Sequence, residues 1–421
     1  MKNASFKLAA AAVVVASAFA SQAYAAGFQL SEQSTVQMGR AMAGAGVVGD
    51  DLSAVHYNPA GMTLLPGTRI QATGTWVAVN AEYKGDKGAS ENGRKKGQMI
   101  PAGYITHQLN DQWWLGLGLT VPYGMGTDFD RNWEGSDRGN KSMILTFDIN
   151  PNVAWKLNEK LSFGAGVSLQ YAKAKLGLSK GGVIDTQKGK MYVPNLGNAT
   201  VAGDSWAWGW NVGMMWKPVD TLRIGLAYRS HIAHNAEGDT TLEGPMVAQM
   251  TQNKLTKIES DMDVRIKTPD TVTLSAAWDA TQDLTLSATA RWSKWSNFDV
   301  LSVENATVPD TQVLNHWDDT WFFSLGADYR LNDQWTVRGG VAYDQGPVDN
   351  LYRMAVIPDT DRVWVAGGAS FKYSNNLTFD FGATYITGVG DTDLHNGAGK
   401  HIGEFESLDS YIVSAQMQYR F

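Results

Sequence analysis

No cysteine occurs anywhere in the chain. A secreted protein of this kind has no disulfides to rely on, so it needs a large core or a continuous hydrogen-bonded framework. Also missing, after a short apolar run at residues 8–20, is any stretch of the roughly 20 apolar residues that a membrane-crossing helix requires. Basic residues are outnumbered, 35 Lys and Arg against 42 Asp and Glu, which argues against nucleic acid as a partner. Neither H-E-x-x-H nor G-x-S-x-G is present, so the chain carries no local signature of a zinc hydrolase or a serine hydrolase. The GAGVVG of residues 44–49 fits the spacing of a dinucleotide loop but lacks the strand and βαβ unit that give such a loop its function. DTDLHNG at 391–397 is a poor calcium loop, because its twelfth position is Ile402 rather than Glu. No cofactor and no metal site is expected.

What stands at the start is a leader. Lys2 and Lys7 precede the apolar run, and Ala23-Tyr24-Ala25 follows it. This is the pattern of a secretory signal peptide over residues 1–25, cleaved before Ala26. Removing Lys2 and Lys7 takes the formal charge from −7 to −9.

What fills the rest is alternation. In SYIVSAQMQYRF, residues 410–421, every second residue from Tyr411 to Phe421 is apolar. Residues 284–292 place Leu284, Leu286, Ala288, Ala290 and Trp292 against Thr285, Ser287, Thr289 and Arg291. Between Met262 and Trp278, Met262, Val264, Ile266, Val272, Leu274, Ala276 and Trp278 form one expected apolar face, opposite Asp263, Arg265, Lys267, Thr271, Thr273 and Ser275. Period two means strands with one wet and one greasy face. Short Asn- and Asp-bearing turns fall at 108–113, 156–161, 217–222, 279–284, 330–335 and 372–377. Long polar, Gly-rich segments fall between them, near 83–97, 123–141, 179–204, 238–261, 300–315, 345–360 and 389–405. Six short turns join twelve strands in pairs, and one strand at each end makes fourteen.

An even strand number with short turns at one rim and long loops at the other is the plan of a bacterial outer-membrane barrel. A soluble sandwich would bury both apolar faces in a core. Here Trp113, Trp114, Trp155, Trp216, Trp278, Trp335 and Tyr373 crowd the strand ends, as interfacial aromatic girdles do. Arg229, Arg265, Arg291, Arg338 and Asp380 would sit on the inner face, where a sandwich core would penalise them. The last strand must pair with the first, because lipid does not tolerate an open edge. The expected fold is an all-β, 14-stranded antiparallel transmembrane β-barrel over residues 68–421.

Residues 26–67 do not alternate. Asp50 or Asp51 is placed to cap a short helix, which Pro59 should end. A fourteen-strand barrel is too wide to be filled by its own wall side chains, so this segment reads as a luminal plug. Its sequence, AGFQLSEQS through GDDLSAVHYNPAGM, closely resembles the N-terminal hatch of the FadL family of outer-membrane long-chain fatty acid transporters, including its branch that carries aromatic hydrocarbons. LSFGAGVSLQYAKAK at 161–175, WSKWSNF at 292–298 and IPDTDRVWVAGG at 357–368 extend the resemblance along nearly the whole mature chain.

The resemblance implies a 14-stranded barrel with a small N-terminal helical hatch, and diffusion-driven passage of a hydrophobic small molecule. It implies a loop groove, here Val183, Ile184, Met191, Tyr192, Val193 and Pro194 with Pro245, Met246, Val247 and Met250. It implies a hatch-gated site beside Phe28 and the Asn58-Pro59-Ala60 triplet. It also implies a lateral exit at a kinked third strand, where Gly116, Gly118 and Pro122 are the candidates. At the positions that align with the fatty-acid carboxylate partners stand Leu178 and Ser302; Lys173 and Lys175 are the nearby basic candidates. That departure favours a neutral hydrocarbon or another amphiphile as the alternative substrate. Expected partners are outer-membrane lipid, lipopolysaccharide and the barrel-assembly machinery, which reads a terminal Phe such as Phe421; a monomer is expected. The rivals are a polar porin and a lipid hydrolase using His107, His231 or His316; the expectation is no enzyme.

Overall fold

The computed structural model describes residues 27–93, 97–186, 189–396 and 399–421; the expected signal peptide lies outside them. Alternating sequence becomes one continuous antiparallel sheet closed on itself. Its staves are β1 (Thr68–Gly85), β2 (Gln98–Gln108), β3 (Trp113–Thr120 and Gly124–Asp128), β4 (Lys141–Lys156), β5 (Leu161–Thr186), β6 (Gly189–Val219), β7 (Leu222–Arg229 and Ala233–Glu243), β8 (Lys257–Lys267 and Thr271–Asp279), β9 (Leu284–Ser293 and Val300–Asn305), β10 (Thr311–Leu314 and Thr320–Arg330), β11 (Trp335–Asp344), β12 (Arg362–Lys372), β13 (Leu377–Gly388) and β14 (His401–Arg420). β14 returns to β1, with Arg69 opposite Arg420 at one end and Gly85 opposite Gly403 at the other. All 14 staves therefore have a neighbour on each side, as a wall in lipid requires, with one local interruption in β3.

The six short turns are where the sequence puts them, and Asn explains several. Asn110 Oδ1 accepts from the amides of Gln112 and Trp113 at 2.9 and 3.1 Å. Asn158 and Asn332 do the same for the residues two and three ahead, so the side chain closes each turn that the backbone leaves open. Three expected loops are instead strand. Across 179–204, β5 and β6 run on as a long hairpin, Leu178 opposite Ala199 and Thr186 opposite Gly189. The 238–261 and 300–315 segments likewise carry β7, β8, β9 and β10 onward, with a short helix over Pro245–Met250. Polar sequence there marks water outside the membrane and not an end to strand pairing.

Leu274, Trp278, Phe323, Leu325, Val365, Phe381 and Val413 are exposed on the outer wall, while Ser275, Thr289, Arg291, Ser324, Arg338, Asp380 and Gln416 are buried within. Trp113 and Trp155 stack at the rim, their ring centroids 5.9 Å apart. Trp114 departs from the expected girdle: it is 3% exposed and donates inward from Nε1 to Leu65 O at 3.1 Å, because its place in the alternation faces the lumen.

A second correction is larger. Met262 and Val264 were expected on the same face as Leu274 and Trp278, yet they are buried and the latter are exposed. β8 is interrupted at 268–270, β7 at 230–232, β9 at 294–299 and β10 at 315–319. These breaks lie side by side, joined by Thr268 N to Ile232 O at 3.1 Å and Lys294 N to Asp270 O at 2.8 Å. Across the breaks in β7, β8 and β10 the parity of inward residues switches. Below them the wall is apolar outside and polar inside. Above them Glu237, Asp239, Asp261, Asp263 and Arg265 face out, and Ala236, Met262, Val264 and Val303 form an inner apolar cluster. Arg265 is thus outside the barrel rather than within it, since above the bilayer the outer face meets water.

Arg introduced at Leu274 should destabilise the folded barrel in vesicles by about 2–4 kcal/mol, whereas Asp263→Arg in the same stave should change it by less than about 0.5 kcal/mol. Denaturant unfolding in liposomes measures both; equal costs would contradict the inversion.

Candidate substrate-binding site

Residues 27–67 lie inside the barrel and are largely buried. Ser34 caps α1 (Thr35–Met38), its Oγ accepting from Gln37 N at 3.2 Å. α2 (Ala54–Tyr57) ends at Asn58, and Pro59 then opens a 3-10 helix, Pro59–Leu64. Neither Asp50 nor Asp51 caps α2; Asp50 pairs with Arg40, and Asp51 accepts from Ser53 Oγ at 2.7 Å. Asn58 works in two directions. Its Oδ1 accepts from Ala60 N, and its Nδ2 donates to Met214 O on β6, both at 3.1 Å.

Close seating needs a wall without side chains. A Cβ on Gly164 would sit 2.5 Å from Ala60 N, and one on Gly213 would collide with Asn58. Opposite, Gly326 and Gly340 admit the Arg40 backbone. Arg40 is fully buried and binds Asp50 at 2.6 Å and Asp328 at 3.3 Å, and Asp328 is held in turn by Arg338 at 2.9 Å. Breaking such a buried pair costs about 3–5 kcal/mol, so the body of the segment is locked to the wall.

Its first residues are held differently. Pairing of β2 with β3 stops at Gly103 opposite Leu119. Beyond the break at Val121–Tyr123, among the described residues Gly124–Asp128 pairs with β4 alone. The missing partner is the N-terminal arm. Leu30 N donates to Pro122 O at 2.8 Å and Gly124 N to Phe28 O at 3.0 Å. Gln33 Nε2 donates to Val121 O at 2.7 Å, and its Oε1 accepts from Val121 N at 3.2 Å. Among the described residues of the arm, Gly27 donates its amide to Asp359 Oδ2 at 2.7 Å. Burial pushes the Asp359 carboxyl up to about 6, against the pull of Arg362.

The break falls at Pro122, and Gly116 and Gly118 lie within regular pairing. Both face the luminal segment; a Cβ on Gly116 would run into Met62 and Val55, and one on Gly118 would touch Val55 at 3.4 Å. They make room for packing and do not bend the strand.

Phe28 sits in an aromatic cage, with ring centroids of Trp295, Phe298, Trp317 and Tyr123 at 4.9, 5.2, 5.8 and 5.9 Å. Beside it lies a cavity of about 70 Å³ walled by Ile144, Ala172, Ala174, Ala236, Ile266, Phe298 and Ile357 among others. Leu176, Leu301 and Met354 line both this cavity and an outward-opening groove of about 560 Å³, so the two are adjacent. Met246 and Met250 line the groove with Leu178, Val201 and Leu242, whereas Val247 is fully buried. The side chains of Val183, Ile184, Met191, Tyr192 and Val193 lie outside the described residues. Lys173 and Lys175 stand in the cavity wall but pair with Leu145 and Met143, whose face is outward, because the alternation gives the inner positions to Ala172, Ala174 and Leu176. His107, His231 and His316 pair with Thr68, Asp270 and Asp299 respectively, each with a different partner.

Sequence reasoning missed Gln33, Trp317 and Asn315. The signal for the last two was the NHW triplet at a strand interruption, which reads as plain loop until its neighbours in space are known.

The profile of the family described as outer membrane protein transport protein (OMPP1/FadL/TodX) matches residues 16–421. Outer membrane protein P1 of Haemophilus influenzae is 29% identical, with 97% of this chain and 95% of that one covered. The long-chain fatty acid transport protein of Escherichia coli strain K12 is 28% identical over 91% and 92%. The crystal structure of a Pseudomonas aeruginosa FadL homologue superposes with a TM-score of 0.84 at 25% identity, covering 94% of this chain and all 100% of that one. The Pseudomonas putida toluene transporter TodX shares the fold, with a TM-score of 0.70 at 18% identity over 95% and 99%.

Gly213→Val should unseat the luminal segment by displacing Asn58. The expected result is a several-fold rise in small-ion conductance across planar bilayers, with the barrel still resistant to unfolding in cold detergent. Unchanged conductance would mean that the glycine seat does not hold the seal.

Proposed function

The chain belongs to the FadL/TodX family of outer-membrane transport proteins for hydrophobic substrates, and from that premise we propose that it passes long-chain amphiphiles from the loop groove, through the cavity beside Phe28, to a lateral opening at the β3 break. One observation carries this reading: the same arm, residues 28–33, both fills the aromatic cage and supplies the hydrogen bonds that the break lacks. Substrate entering the cage competes with Phe28 for the same apolar surroundings. Moving Phe28 pulls on Leu30 and Gln33 and leaves Val121, Pro122 and Gly124 without their partners. A net cost of about 0.5–1.5 kcal/mol for each hydrogen bond is within reach of burying a long alkyl chain, at about 0.8 kcal/mol per methylene. The Arg40 network is not, so the arm moves and the hatch body stays.

No energy source enters this scheme; flux follows the concentration gradient. A monoaromatic or other neutral hydrocarbon is the second reading, favoured by the outward placement of Lys173 and Lys175. The cylinder and its seal come from one chain, so a monomer among outer-membrane lipid and lipopolysaccharide is sufficient. Phe421, exposed at the end of β14 and joined to Thr68 O at 2.9 Å, is the feature offered to the barrel-assembly machinery.

Phe28→Ala should lower uptake of a radiolabelled long-chain substrate by about tenfold in cells lacking their own transporter, with normal amounts of folded barrel. Gln33→Ala should instead raise leakage of small solutes at the break. Wild-type uptake by Phe28→Ala would remove the cage from the route.

A further inference from the structure

The cavity beside Phe28 is apolar except at a few points, and two of those are unanswered. Asn315 is fully buried, and neither Oδ1 nor Nδ2 has a hydrogen-bond partner. Ser142 is 4% exposed, and its Oγ is likewise free. Both line the cavity. Leaving such groups unpaired costs about 1–3 kcal/mol each, so a native structure that keeps them calls for an explanation. The other uncharged polar side chains of the lining are occupied: Thr146 donates to Tyr123 O at 2.8 Å, Thr268 accepts from Ile232 N at 2.8 Å, and His234 is engaged by Ser205 and Gln170.

The backbone holds Asn315 in this position. His316 adopts φ +46°, a left-handed conformation unfavourable for a non-glycine residue and maintained only where the surroundings enforce it. The amides of Asn315 and His316 both donate to Asp299 O, at 2.8 and 3.1 Å, and the His316 ring reaches Asp299 at 3.1 Å. The twist sends Asn315 to the cavity and Trp317 to the Phe28 cage.

We propose that this cavity selects hydrophobic substrates ending in an uncharged hydrogen-bonding group, read by the Asn315 amide with help from Ser142. The inference rests on the proposed route and names its substrate class. A neutral amide offers a donor and an acceptor but no charge. A hydroxyl satisfies both at once. An ionised carboxylate would leave water for a site whose two basic wall residues, Lys173 and Lys175, face outward, and burial without a countercharge is heavily penalised. A bare alkane would leave Asn315 as unpaired as before.

The test is equilibrium binding of radiolabelled 1-hexadecanol, hexadecanoate and hexadecane to the full chain in lipid nanodiscs at pH 8, with empty nanodiscs subtracted. Hexadecanol should bind about tenfold or more tightly than either of the others. Asn315→Leu should bring hexadecanol down to the level of hexadecane, while hexadecane itself binds unchanged or better. Hexadecanoate binding as tightly as the alcohol in the wild type overturns the proposal, and that comparison needs no variant to fold. An alcohol preference that survives Asn315→Leu overturns it too. Phe28→Ala separates the two levels: if all three probes bind that variant as they bind the wild type, the site beside Phe28 is wrong and the proposed route falls with it.

Discussion

Backbone amides and carbonyls in hydrocarbon have no water to turn to. Everything else in this molecule follows from how that demand is met. Thirteen junctions around the sheet, and the closure of β14 on β1, meet it by ordinary strand pairing. One stretch of β3 does not. At Val121–Tyr123 the strand is interrupted, and the partners come from the N-terminal arm. The segment that completes the wall there also carries Phe28, the occupant of the aromatic cage, and the proposed route uses that link.

The inversion of the wall serves the same end. Below the interruptions in β7 to β10 the outside is apolar because it meets acyl chains. Above them it is polar because it meets water, and the inside turns apolar. The apolar surface above the interruptions therefore lies within the rim, where the proposed route begins. The groove and the cavity share Leu176, Leu301 and Met354 in their walls, and Phe28 lines the cavity. The luminal segment is built to a different rule. Glycines on facing walls let its backbone approach closely, and Arg40 with Asp50 and Asp328 fixes it there. A buried ion-pair network thus holds the body, and a few hydrogen bonds hold the arm.

The sequence made the cylinder legible because period two, short Asn turns and rim aromatics are local signals. Phe28 and Asn58 were singled out through the family resemblance, and they stand in the aromatic cage and against β6. The sequence misjudged Met262, Val264 and Arg265, because alternation gives faces but not which face is inside once a strand is interrupted. Gly116 and Gly118 were read as a weakness in the strand when their role is set by Met62 and Val55, some 50 to 60 residues away in the chain. Gln33 could not be assigned at all, since its two bonds with Val121 are made at a strand break that exists only in three dimensions.

The most direct test of this account is site-resolved amide hydrogen exchange in lipid nanodiscs, with and without a saturating hydrophobic substrate. The amides of Leu30, Val121 and Gly124 should be protected together in the empty protein and lose protection together when substrate is added. Exchange at Leu30 alone, with Val121 and Gly124 still protected, would show that the arm leaves without opening the wall and would contradict the coupling.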